Sequence, residues 1–304
     1  MNILVTGVTG YIGSLMVTRL TGEGHSVRGF ARHPDRVTAD IPVVAGDAIT
    51  GAGLAPALDG IDVAYFLIHS MEPTADDPFA ARERAAAQRF AAAAAHAGVR
   101  RIVYLGGLVP DGGPRSAHLA SRQAVEEILM GSVPDSVALR ASIVIGARSR
   151  SFRFLVRLVE RLPVLAIPAW RRHRTAPIDE RDIVAMLAAA AGSDRVGGST
   201  LDVGGPDIVS YEQLIDRIAD LMLVDRPAVR LRRLTVTPIA SRVAAVIAGE
   251  QHELIGPLME SLDADLIPAD DDAAHLLGVR RHSLDAAIEH ALAQWERDEP
   301  LAAR

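Results

Sequence analysis

The residues of this 304-residue chain whose types and spacing suit chemistry lie near its start, in Thr6-Gly7-Val8-Thr9-Gly10-Tyr11-Ile12-Gly13. Three glycines at three-residue intervals follow a short apolar run and open a helical pattern. In that setting Gly7 permits a tight turn, Gly10 lets bare backbone approach a pyrophosphate, and Gly13 lets helix and strand pack closely. The helix N-terminus then attracts phosphate charge, so Gly7, Thr9, Gly10, Tyr11, Ile12 and Gly13 are expected to bind a dinucleotide. A tight turn without a ligand is the alternative.

The end of the second strand decides which dinucleotide. A site for NAD usually carries an acidic residue there, about 20 residues on, to accept the ribose hydroxyls. Here the segment reads Arg28-Gly29-Phe30-Ala31-Arg32-His33, with no carboxylate before Asp35. Arg32 would welcome a 2′-phosphate where a carboxylate would repel it, so NADP(H) is favoured over NAD(H). Asp47, closing the third strand, is placed to touch the adenine. Leu67-Ile68-His69, after the fourth, is placed to run past the middle of the cofactor.

What the chain lacks excludes other chemistries. All 32 basic residues are Arg, and there is neither Lys nor Cys. Thiolate nucleophiles, disulfides, Cys-ligated metals, Schiff bases, covalent pyridoxal phosphate and a P-loop lysine are therefore ruled out. The net charge is −6, and the arginines are scattered among 38 carboxylates, so no nucleic-acid partner is expected. No stretch reaches the ~18 uncharged apolar residues of a membrane span. The longest candidate, Leu234 to Gly249, is broken by Pro238 and Arg242. With no export signal ahead of Ile3, a cytoplasmic protein is expected.

The elements that must position these residues follow from the hydrophobic rhythm. Apolar strand candidates Ile3–Thr6, Ser26–Ala31, Val43–Gly46, Val63–Ile68, Arg101–Leu105 and Val137–Ile145 alternate with helical segments Ile12–Gly24, Leu54–Leu58, Asp77–Ala97 and Ala117–Met130. Such alternation predicts an α/β fold, a doubly wound parallel sheet of the Rossmann type with helices on both faces. Beyond Gly146 come helices Phe152–Leu162, Glu180–Ala191 and Tyr211–Leu223 and a strand Ser199–Val203. A cofactor domain over 1–147 is expected, with a smaller mixed α/β substrate lobe and C-terminal helices over 148–304 partly packed back on it.

Several segments beyond the glycine loop carry a family resemblance. They are Arg28 and Arg32, Val44–Asp47, Tyr65–Ser70, Val103–Gly107, His118-Leu119-Ala120-Ser121-Arg122, Leu139–Gly146, Pro177–Asp182 and Gly204-Gly205-Pro206. In order and spacing over residues 1–225 the chain resembles the short-chain dehydrogenase/reductase superfamily, in particular its atypical, NmrA-like branch of NAD(P)-binding proteins. The tail around Leu258–Leu262 is similar to that of bacterial NAD(P)H-binding oxidoreductases of this type, and there is likeness to the NADPH-carrying accessory subunit of respiratory complex I. The resemblance implies that Ala48, Gly106, Ala141, Ser142 and Ile143 join the cofactor-binding residues.

It also shows what is missing. Reductases of that superfamily usually place a Ser after the fifth strand and Tyr-x-x-x-Lys on the next helix, with Tyr moving the proton and Lys lowering its pKa. Here Gly106-Gly107 stands in the Ser region and His118-x-x-x-Arg122 in place of the pair. With no Lys, and Tyr only at 11, 65, 104 and 211, no relocation restores it. His118 and Arg122, the candidate catalytic residues, share one helix face. Arg122 can hold ribose hydroxyls as a lysine would. Burial and the neighbouring cation would keep His118 neutral, able to orient a substrate oxygen but a poor proton donor.

The expected function is therefore NADPH-dependent reduction of an apolar, quinone- or enone-like small molecule, whose delocalised product oxyanion solvent can protonate. The alternative is a non-catalytic NADP(H)-binding redox sensor or assembly protein. The partner is a small-molecule substrate or the sensed cofactor itself, and the oligomeric state is left open. No metal is expected, because Glu250–Glu253 and Asp270–Asp272 lack ligand spacing and read as solvated surface. The run Arg171–Arg174 is read as a basic rim, and Pro163–Trp170 as pocket lining or packing.

Overall fold

The computed structural model describes residues 1–68, 79–110, 112–114, 116–162, 165–167, 169–225, 228–230, 264–299 and 301. Its centre is a seven-stranded parallel sheet in the order β11-β6-β5-β4-β1-β2-β3, formed by β1 (Asn2–Thr6), β2 (Ser26–Ala31), β3 (Val43–Ala45), β4 (Val63–Phe66), β5 (Arg101–Gly107), β6 (Val137–Ala141) and β11 (Thr200–Val203). The order reverses at β1, which places the crevice at the carboxyl ends of β1 and β4.

Alternation along the strands builds the layers. Ile3 and Val5, Val63 and Tyr65, Val103 and Leu105, Val137 and Leu139 point to one face. Leu4, Ala64, Phe66, Ile102, Tyr104 and Ala138 point to the other. The first face is covered by α1 (Tyr11–Gly22) and α6 (Glu180–Gly192), with α8 (Asp272–Leu276) beside them. The second is covered by α2 (Leu54–Leu58), α3 (Phe79–His96) and α4 (Ala117–Met130). In α3 the alanines Ala86, Ala87, Ala91 and Ala94 bring the helix close to the sheet around Phe90, whose ring lies 5.0 Å from Phe66.

A separate apolar cluster joins α5 (Arg150–Arg161), α7 (Tyr211–Leu221) and α9 (Leu284–Asp298) around Trp295. Arg153 and Arg157 stack on that indole, 4.2 and 4.9 Å from its centroid. Six more short strands lie among the described residues. β7 (Val144–Ile145) pairs with β10 (Ile178–Asp179), β9 (Arg174–Thr175) with β12 (Val209–Ser210), and β8 (Leu165–Ile167) with β13 (Ala228–Arg230).

The expected Val137–Ile145 strand is two strands. The chain leaves the sheet at Ser142, whose N–H donates to Val203 O at 3.0 Å and whose hydroxyl pairs with Thr175 Oγ1 at 2.8 Å. Among the described residues no helix is long and apolar enough to cross a membrane. The segments Leu234–Gly249, Glu250–Glu253 and Leu258–Leu262 lie outside the described residues.

Candidate functional site

The glycine loop is a cradle that side chains would fill. Gly7 sits at φ +66°, and a Cβ there would stand 2.5 Å from Leu67 O. Leu67 is held at that distance by Thr6, whose Oγ1 donates to Tyr65 O at 2.9 Å and accepts from Leu67 N at 3.0 Å. Gly10 N donates to Gly7 O at 2.8 Å, and a Cβ on Gly13 would overlap the Gly7 carbonyl. Gly10 is also the N-cap of α1, with no capping side chain and no acidic residue in the first turn. No acidic residue of that turn competes with an anion, so the cradle fits a dinucleotide diphosphate.

Arg32 is exposed immediately after Ala31 closes β2. Arg28 leaves the site: its Nη1 donates to the carbonyls of Pro56, Ala57 and Asp59 and caps α2. Asp47 accepts from Ile49 N at 2.8 Å and so fixes the turn after β3, with Ala48 buried beneath it. Ile68 is partly buried, and His69 lies outside the described residues. Beside α1 a cleft of ≈ 470 Å³ opens between the loop residues Val8 and Thr9 and the segment Arg36–Ala39.

The second cluster is carried by α4. Ser116 caps it, accepting from Leu119 N at 3.2 Å, and Ser121 ties it to α3 through Glu83 at 2.7 Å. Arg122 Nη2 donates to Leu105 O at 3.2 Å and its guanidinium lies 6.0 Å from the Tyr104 ring centroid, so it reaches the end of β5. His118 is pushed down from 6.5 to about 4, first by burial and then by Arg122. Gly106 and Gly107 complete β5 opposite Arg140 and Ala141. A Cβ on Gly106 would stand 3.1 Å from Tyr104. The Ala141 carbonyl accepts from Leu108 N, and the Ile143 carbonyl accepts from Ile178 N at 2.9 Å.

Long-range pairs add residues that spacing gave no sign of. The Tyr11 hydroxyl donates to Glu180, a carboxylate only 4% exposed at the start of α6. Burial first, then the Glu180 charge, raises the Tyr11 pKa. His290 Nε2 lies 3.6 Å from the other Glu180 oxygen. A Cβ on Gly146 would overlap both the tyrosine hydroxyl and Glu180, so this glycine makes room for the pair. Asp179, Asp182 and His282 also converge, but Arg181 binds Asp179 at 2.6 Å and His282 Nδ1 meets Asp182 at 2.6 Å. Asp271 pairs with Arg281 at 2.7 Å. The Arg171–Arg174 run is not a free rim: Arg171 is buried 3.5 Å from Glu212, and Arg174 binds Asp265. Trp170 packs edge-on to Tyr211 at 5.8 Å, whereas Pro163, Val164 and Pro168 lie outside the described residues.

Residues 7–142 match the model of the NAD(P)H-binding family. Over 219 residues, 69% of this chain and 70% of the relative, the chain is 32% identical to the (4-alkanoyl-5-oxo-2,5-dihydrofuran-3-yl)methyl phosphate reductase of Streptomyces griseus. It is 24% identical over 229 residues to the Arabidopsis thaliana mitochondrial NADH dehydrogenase (ubiquinone) 1 alpha subcomplex subunit 9, covering 72% of this chain and 57% of that one. A short-chain dehydrogenase/reductase superfamily protein from Agrobacterium tumefaciens, solved with bound NAD, shares the fold at a TM-score of 0.71 and 20% identity over 98% of both chains.

Proposed function

Since this chain belongs to the NAD(P)H-binding, atypical short-chain dehydrogenase/reductase-type family, we propose that it is an NADPH-dependent reductase of a conjugated apolar small molecule, an enone or a quinone. Residues 1–147 hold most of the cofactor in this reading and 148–304 supply the substrate lobe and C-terminal helices, partly packed back on the first domain through β11 and α6, in the manner of the NmrA-like branch. The preference for NADPH rests on exposed Arg32 at the end of β2, where no carboxylate stands to repel a 2′-phosphate.

The choice of substrate rests on the setting of His118, partly buried on α4, where desolvation and the Arg122 charge push its imidazole down to about 4. When bound, the nicotinamide supplies a hydride. Arg122 holds ribose hydroxyls, and His118 orients the substrate oxygen through a neutral imidazole. An isolated carbonyl yields a localised alkoxide and needs a proton from the protein, which His118 is poorly suited to give. A conjugated acceptor yields a delocalised oxyanion that water can protonate. The Streptomyces relative is named for a phosphate ester of an acylated unsaturated lactone, a conjugated acceptor of this kind.

Likeness to a respiratory-chain subunit supports a second reading, in which NADP(H) is bound and not turned over. A panel of quinones, enones and simple aldehydes, each mixed with the NADPH-loaded protein at 340 nm, separates the two. Oxidation by the conjugated members supports the reductase. Tight binding with no oxidation by any of them supports the sensor or assembly role.

A further inference from the structure

The cofactor reading leaves the outer wall of the cradle unassigned. The cleft beside α1 is lined by Thr9, Ser14, Thr18, Arg36 and Arg148, among others. Arg148 comes from the segment after β7, far from the glycine loop in sequence. Its Nη1 donates to Ser14 Oγ at 3.1 Å, and Ser14 in turn donates to Tyr11 O at 2.9 Å. The guanidinium is thus parked over the first turn of α1.

Its surroundings differ from those of several other arginines of the chain. Arg140, Arg157, Arg174 and Arg181 each pair with a carboxylate. Arg148 is exposed, and among the described residues it pairs with a neutral hydroxyl and no carboxylate. An uncompensated guanidinium beside an uncapped helix start, in a cleft shared with the loop residues Val8 and Thr9, is placed to take phosphate oxygens.

We propose that Arg148 is a phosphate ligand from the segment after β7, which leaves Ser14 to bind the cofactor diphosphate and closes the cradle. The assignment rests on the cofactor reading above. Because both NADPH and NADH carry the diphosphate, Arg148→Gln should weaken both alike, by about 10- to 100-fold, as for a charged hydrogen bond. Arg148→Lys, which keeps the charge, should fall between it and the wild type. The gap between wild type and Arg148→Gln should narrow as salt is raised.

The experiment is a fluorescence titration of the full chain with NADPH and with NADH, with melting midpoints confirming that each variant is folded. Constants for Arg148→Gln within twofold of wild type overturn the assignment. So does a loss confined to NADPH, which would place Arg148 at the 2′-phosphate. A wild-type protein that takes up neither dinucleotide overturns the cofactor reading itself, whereas normal uptake with an unchanged variant overturns this assignment alone.

Discussion

The glycine cradle and the first turns of α4 are built in opposite ways. In the cradle the chemistry is backbone, and the side chains matter by their absence: Gly7 and Gly13 face carbonyls that a Cβ would strike. On α4 the candidate groups are side chains, and His118 and Arg122 stand four residues apart near the start of that helix. A backbone site is either present or destroyed. A side-chain site can keep its shape while its proton chemistry changes, so under the proposed function substitutions in the cradle should abolish binding while those on α4 should alter only the reaction.

Substitution in the cradle should have the largest effect. Gly13→Ala must displace the Gly7 carbonyl, so NADPH uptake should fall by more than about 100-fold and stability by about 1–3 kcal/mol. Titration and urea unfolding check both, and an unaffected variant would mean that the cradle can yield. The next effect is selective. Arg32→Asp should weaken NADPH by about 100-fold and NADH by less than about threefold. Equal losses would remove the basis for NADP(H) preference.

The smallest effect on binding and turnover is expected on α4, where the pH dependence of stability reveals the role of His118. His118 titrates near 4 when folded and near 6.5 when unfolded. The unfolded chain therefore takes up the proton first as pH falls. The stability associated with neutral His118 is complete above pH 6.5 and is lost as pH falls toward 4, by at most about 3 kcal/mol. Urea unfolding of His118→Gln should show a flatter pH dependence over that window. Its turnover should stay within about fivefold of wild type between pH 6 and 8, because a neutral amide can also orient an oxygen. A large rate loss there, with a wild-type inflection near 6.5, would make His118 a proton donor and undo the contrast with the cradle.

The parts that were readable in the sequence are local. The loop from β1 into α1 needs only residues 2–22, and the alternation of β1 and β4 reflects burial on both faces. The burial and Arg122 charge that depress His118 were readable too, since i and i+4 on one helix are neighbours. What escaped was set by distant partners. Tyr11 meets Glu180 across 169 positions, and Ser142 breaks its strand because Thr175 and Val203 capture it. Arg171 looked like surface and is buried, because Glu212 and the Trp170–Tyr211 contact come from another element.

The most direct test of the central claim uses one substrate with two reducible bonds. An α,β-unsaturated ketone is incubated with the protein and NADPH in deuterated water, and the product is identified by NMR. The account predicts reduction of the carbon–carbon double bond alone, giving the saturated ketone with solvent deuterium at the α-carbon. An allylic alcohol, formed by reduction of the carbonyl, would show a protein proton donor that this site should not have, and would contradict it.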